Sequence, residues 1–197
     1  LLAAGTRIGP AQLALAISAG HMHLPVRRIP RLAIIDSGDE LAANFADCAP
    51  HQVPASNGAM LAALAASLPC AIDRLGPVAD DMGAIADVLA QAASADLIVT
   101  SGGASAGDHD LIRPALQAWG AEIDFWRVAI KPGKPLLVAL RGNQLVLGLP
   151  GNPVSSFVTF LLAVGPVLCA LQGLPAGFAK ALSLPAHFDW SRPDKRR

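Results

Sequence analysis

The sequence predicts a three-layer αβα domain built on a mostly parallel, doubly wound sheet, with an antiparallel hairpin near the C-terminal end. Three observations predict it. Short apolar runs (Leu32 to Ile35, Ala71 to Leu75, Leu97 to Val99) alternate with stretches of helical periodicity, the pattern of βαβ units whose helices cover both faces of a parallel sheet. Loops after several of these runs are rich in Gly, Ser and acids rather than in hairpin-forming pairs. Only Leu136 to Leu140 and Gln144 to Leu149 break the alternation, because Arg141, Gly142 and Asn143 are too few residues for a crossover and suit a tight antiparallel turn.

Taken in order, residues 10 to 19 (Pro10, Leu13, Ile17) form a helix closed by Gly20. His21 and His23 follow in a helix-exit loop with no third ligand beside them, and read as solvated. The connector Val26 to Arg31, charged and proline-bearing, leads into the first strand, so the domain boundary falls there. An acidic loop, Asp36 to Leu41, follows; by itself it is equally a turn before a helix whose first turn favours acids. Ser56 and Asn57 cap an Ala-rich helix carrying Met60, Leu61 and Leu64, and Asp80-Asp81 cap a second with Ile85, Val88 and Leu89. A further helix carries Leu111, Ile112, Ala115, Leu116 and Trp119. In the next strand, alternation sets Ile123, Phe125 and Arg127 against Asp124, Trp126 and Val128, with a core role expected for both aromatic rings.

The last helix, Val154 to Leu171, lies in a stretch without charge between Arg141 and Lys180. Pro150 to Pro153 and Gly165-Pro166 break that stretch, so a core helix is expected rather than a membrane span. Past Gly173-Leu174-Pro175 the composition turns polar. Residues 1–27 then read as the end of a preceding domain and a linker, 28–174 as the αβα domain, and 175–197 as a linker and the start of a C-terminal β domain. The chain opens without Met or a signal pattern and reads as a fragment.

With 53% apolar and 15% charged residues, the chain can bury one sizeable core. Its formal net charge of zero gives no support to a nucleic-acid or anionic-membrane partner. Cys48, Cys70 and Cys169 are too scattered for a disulfide framework or a zinc site, and fit buried thiols in a reducing cytosol.

The chemistry concentrates in three loops. Residues 95 to 110 pass from an apolar strand into Thr100-Ser101-Gly102-Gly103-Ala104-Ser105-Ala106-Gly107 and then a helix, which sets backbone N–H groups where a phosphate can be held. Asp108 and Asp110 would repel that phosphate unless a hard cation such as Mg²⁺ lay between them. Ile130 to Pro135 fixes Lys131 and Lys134 on a proline-flanked loop. Leu149-Pro150-Gly151-Asn152-Pro153-Val154-Ser155 ends a strand and opens a helix with proline in its first turn. All three follow strands, so they can meet at one carboxyl edge, where open α/β sheets bind ligands.

Taken together with Gly38-Asp39-Glu40-Leu41 and Phe125-Trp126-Arg127, these phrases resemble the molybdopterin molybdenumtransferases of molybdenum cofactor biosynthesis, a family related to the C-terminal domain of gephyrin. The resemblance implies an enzyme, cytoplasmic and homodimeric in its full-length form, with molybdopterin adenylyltransferase as a functional partner. It would take adenylylated molybdopterin and molybdate, use Mg²⁺, and release AMP. Matched positions make Glu40, Asp80 and Asp110 the functional and metal-binding acids, and Lys131 and Arg127 catalytic cations at the molybdate site. Asp39, Ser101, Gly102, Gly103, Ser105, Gly107, Asp108, Lys134, Pro150, Gly151, Asn152, Pro153 and Ser155 would bind substrate. Three positions depart from the family pattern: Arg127 where lysine is usual, Ala55 where Asp is frequent, and Asp36 where Ser or Thr is commoner. Alternatives are the adenylyltransferase itself, which shares the fold and the Ser-Gly-Gly loop, and a non-catalytic molybdopterin-binding scaffold. Four convergent charges argue against the scaffold.

Overall fold

The computed structural model describes residues 2–102, 111–174, 182–185 and 187–189. Six strands, β1 (Arg31–Ser37), β4 (Ala71–Val78), β5 (Leu97–Ser101), β6 (Glu122–Arg127), β7 (Pro135–Arg141) and β8 (Gln144–Leu149), form one sheet in the order β4-β1-β5-β8-β7-β6. The first four in that order run parallel, whereas β7 is antiparallel to β8, and β6 to β7. A separate parallel pair, β2 (Leu41–Ala42) and β3 (Val53–Pro54), lies in the long connection after β1. α1 (Pro10–Ser18) precedes the sheet and buries only Ala16.

Both faces of the sheet are covered, which is why its central strands are continuous apolar runs. Leu32 and Ile34 of β1, with Leu97 and Val99 of β5, pack into one core with Leu61 and Ala65 of α2 (Asn57–Ala65) and with Phe160, Val164 and Leu168 of the C-terminal helix. Ala33, Ile35 and Ile98 face the opposite way, onto Ile85, Val88 and Leu89 of α3 (Met82–Gln91) and Ile112, Ala115 and Leu116 of α4 (Ile112–Ala118). The expected αβα layers are therefore present. The hairpin forms as read, with Arg141 paired to Gln144 and Gly142 (φ +59°) in the turn, and β6 extends it to a three-stranded meander.

Three expectations need correction. Register shifts between Ile123 and Phe125 and between Phe125 and Arg127 break the two-residue alternation of β6. Trp126 consequently packs with Ile123 against the α3/α4 core, while Phe125 is 40% exposed and takes no core role. The C-terminal helix runs unbroken through Gly165-Pro166: α5 (Pro153–Thr159) continues into a π-helical turn, Phe160–Val164, and then α6 (Gly165–Leu171). Pro166 has no N–H to return to the preceding turn, and the wider turn just before it accommodates the loss. Pro153–Leu171 is long and apolar enough to cross a membrane by length and composition; one face, Phe160, Val164 and Leu168, is buried on the sheet, and Phe157, Leu161 and Leu162 lie outside. Finally, the three cysteines are free but only partly buried.

Candidate functional site

The order of strand addition reverses about β1. The connection through α2 leads to β4 on one side of it, and the next, through α3, leads to β5 on the other. The carboxyl ends of β1 and β5 are thus the switch point at which such sheets open a crevice. Polar residues continue both faces there: Asp36 and Ser101 follow the α2 side, Ser37 and Thr100 the α3/α4 side, and all four are buried. The Asp36 Oδ1, Ser37 Oγ and Thr100 Oγ1 atoms have no hydrogen-bond partner among the described residues.

Backbone sets the spacing of the loops. Gly102 has φ +95°, and a Cβ on it would strike the Ser37 carbonyl oxygen, so only glycine lets the β5 loop lie on the end of β1. Gly151 lies beside Gly102 at ordinary contact distance, its virtual Cβ standing 3.6 Å from the Gly102 Cα. Asn57, the first residue of α2, uses both protons of its amide across this junction, donating to Ser101 Oγ and to the Gly151 carbonyl, each at 2.8 Å. Since that carbonyl can only accept, it fixes which end of the amide faces it. Asp36 Oδ2 accepts the Gly58 N–H at 3.0 Å. Burial pushes the Asp36 carboxyl above the usual carboxylate range, opposed by the Gly58 hydrogen bond and by Arg74.

Around this junction stand the charged candidates. Asp39 and Glu40 are exposed on the loop after β1, and Asp39 Oδ1 accepts the Asp80 N–H at 2.9 Å, which joins the β1 and β4 loops. Asp81, not Asp80, caps α3, accepting from the Ala84 N–H at 2.9 Å. β6 runs parallel to β8, so the loop after it opens at the same edge. That loop is closed by the Val128 N–H on the Lys134 carbonyl at 3.0 Å and carries exposed Lys131 and Lys134. Its Gly133 (φ +112°) sits on α5, since a Cβ there would be 2.6 Å from Thr159 Cγ2. Arg127 is exposed with its guanidinium 4.7 Å from the Trp126 ring centre, and Arg113 stacks on the same ring at 3.7 Å. In the β8 loop, Asn152 caps α5 by accepting from the Ser155 N–H at 3.1 Å, Pro153 follows it in the first turn, and the buried Ser156 hydroxyl donates to the Pro150 carbonyl.

Gly103, Ser105, Gly107, Asp108 and Asp110 lie outside the described residues. Among the described residues no three His, Cys, Asp or Glu side chains gather as a metal-ligand group. Two site-building residues escape the sequence reading. Asn57 reads there as a helix cap, but Ser56 makes no capping bond and the Asn57 side chain reaches two other loops instead. Asp36 reads as part of a turn; its parity with Leu32 and Ile34 was the available signal that it faces α2.

Residues 33–170 match the family model described as "Probable molybdopterin binding domain". The chain belongs to this family. It is 37% identical over 182 residues to the molybdopterin molybdenumtransferase of Nostoc sp., a match covering 90% of this chain and 42% of the relative. To the Haemophilus influenzae molybdopterin molybdenumtransferase it is 34% identical over 189 residues, covering 95% of this chain and 45% of the relative. Among solved structures, a molybdopterin biosynthesis protein from Pyrococcus horikosii superposes with a TM-score of 0.73 at 30% identity, over 86% of this chain and 42% of that one. The chain thus spans less than half the length of these relatives.

Proposed function

We propose that residues 28–174 are the substrate-binding domain of a molybdopterin molybdenumtransferase, which inserts molybdenum from molybdate into adenylylated molybdopterin and releases AMP. In this reading residues 1–27 and 175–197 belong to its neighbouring domains, and the working enzyme is a cytoplasmic homodimer supplied by molybdopterin adenylyltransferase. The observation that carries the proposal is the junction of Ser101, Gly102 and Gly151 at the switch point, with acids on the β1 and β4 loops and cations on the β6–β7 loop. A phosphoanhydride needs close backbone approach and charge neutralisation, and both are available along one edge.

Mg²⁺ suits the donors: Glu40 and Asp80 are hard oxygen ligands on loops joined by the Asp39–Asp80 hydrogen bond. Mg²⁺ needs only one or two protein carboxylates, completing its shell from phosphates and water. When bound, it would offset the charge that builds on the phosphoanhydride. Asp110 joins these acids in the reading. Ser101 and Gly102 face the phosphates, Pro150 to Ser155 form the opposite wall, and Arg127, Lys131 and Lys134 hold the oxyanions.

Molybdate is a compact dianion without a base or ribose, so fixed cations are nearly its only recognition, whereas the nucleotide has many contacts. Calorimetric titration of both ligands into wild type and Lys131→Ala tests the assignment. The expected result is a molybdate Kd raised about 10- to 100-fold, or ~1.5–3 kcal/mol, with adenylylated molybdopterin changed much less. An equal loss for the two would place the lysine on the phosphates.

A further inference from the structure

Nothing in the charged set explains why the first turn of α2 is built as it is. Ser56 is the N-cap, its carbonyl accepting the Met60 N–H at 3.0 Å, but its dihedrals are helical (φ −91°, ψ −22°) and its hydroxyl makes no capping bond. The Gly58 N–H, one of the two that an N-cap side chain would take, is taken instead by the buried Asp36 carboxylate from the end of β1. Gly58 has no room for any side chain, because a Cβ would overlap that carboxylate. Asn57, one residue earlier, is thereby fixed between Ser101 and Gly151.

We infer that Asp36 is a positioning residue that caps α2 from the end of β1 in place of the Ser56 hydroxyl and, through Gly58, holds the Asn57 amide as a clamp setting the distance between the β5 and β8 loops. Without the clamp the two loops still touch at Gly102 and Gly151, but among the described residues no other side-chain hydrogen bond joins them. Neither Asp36 nor Asn57 need meet substrate. Both act through the width of the crevice, so the prediction for ligand affinity rests on the adenylylated-molybdopterin reading, while the clamp itself can be read without ligand.

The test compares wild type, Asn57→Asp, Asp36→Ser and Asp36→Asn. Two readouts are used: solvent exchange of the Asn57 side-chain amide and the Gly58 N–H by NMR, and the Kd for adenylylated molybdopterin. Asp36→Ser should expose both amides at least tenfold and weaken binding about as much as Asn57→Asp, roughly tenfold. Asp36→Asn keeps an acceptor and should retain protection. Should Asp36→Ser be too unstable to assay, Asp36→Asn decides the question through the Gly58 N–H, which should stay protected. Full protection of the Asn57 amide in Asp36→Ser, or loss of Gly58 protection in Asp36→Asn, would overturn the inference. Failure of the wild type to bind the ligand would sink the reading of the crevice instead, with the exchange data still deciding the clamp.

Discussion

The two halves of the crevice are made of different material. Around Ser101, Gly102 and Gly151 the wall is backbone held at contact distance, with buried polar side chains behind it. Around Glu40, Arg127, Lys131 and Lys134 it is exposed charge on loops and at the end of β6. A backbone wall cannot be varied without moving strands, whereas exposed charges can change with little effect on the fold. Shape and chemistry are therefore separable here, and substitutions should sort accordingly.

Gly102→Ala should do most harm. It places a Cβ against the Ser37 carbonyl at a φ of +95°, adding backbone strain to overpacking, for a loss of about 2–5 kcal/mol in urea unfolding. Glu40→Gln is its counterpart and should hold unfolding free energy within ~0.5 kcal/mol while weakening Mg²⁺-dependent ligand binding. A stable Gly102→Ala or an unfolded Glu40→Gln would break the distinction. Trp126→Ala sharpens it, because this ring belongs to the core yet carries Arg113 and Arg127 on its faces. About 2 kcal/mol of stability should go, whereas Phe125→Ala, at an exposed position, should cost under ~0.5 kcal/mol. Equal losses would mean that the register shifts in β6 are wrong.

A smaller effect contrasts the two ends of the sheet. Asp96, just before β5, bonds the Arg28 guanidinium and accepts the Arg31 N–H at 2.8 Å, and the Arg28 bond chiefly holds its carboxyl below the usual range. Its contribution is present above the unfolded carboxylate value of about 3.9 and is lost as pH falls through the folded value. Asp36 is shifted the opposite way by burial. Its ionisation disfavours the fold, so its contribution is fully present below about pH 3.9 and is lost as pH rises through the folded value. Stability of wild type minus Asp96→Asn should therefore rise with pH, and wild type minus Asp36→Asn should fall. Slopes of the same sign would contradict one of the two environments.

The strands and helices were legible because a two-sided parallel sheet writes itself as apolar runs, Leu32 to Ile35 and Leu97 to Val99, separated by helical periodicity. The charged loops were legible as motifs. Asn57 was not, since its reach to Ser101 and Gly151 spans 44 and 94 residues of sequence and depends on three separate elements meeting. Asp36 looked like part of a turn; in three dimensions it supplies the cap that the Ser56 side chain does not. Trp126 was placed correctly in the core, but the pairing of Ile123 with Phe125 and the core role of Phe125 were misread because the bulges in β6 leave no mark that periodicity can detect.

Backbone chemical-shift mapping during titration with adenylylated molybdopterin tests the central claim most directly. Saturable shifts at Ser101, Gly102 and Gly151 and along the Val128 to Lys134 loop, with the amino ends of the strands unaffected, are predicted. No saturable binding, or shifts centred on Arg31, Asp96 and Asp73 at the opposite edge, would contradict it.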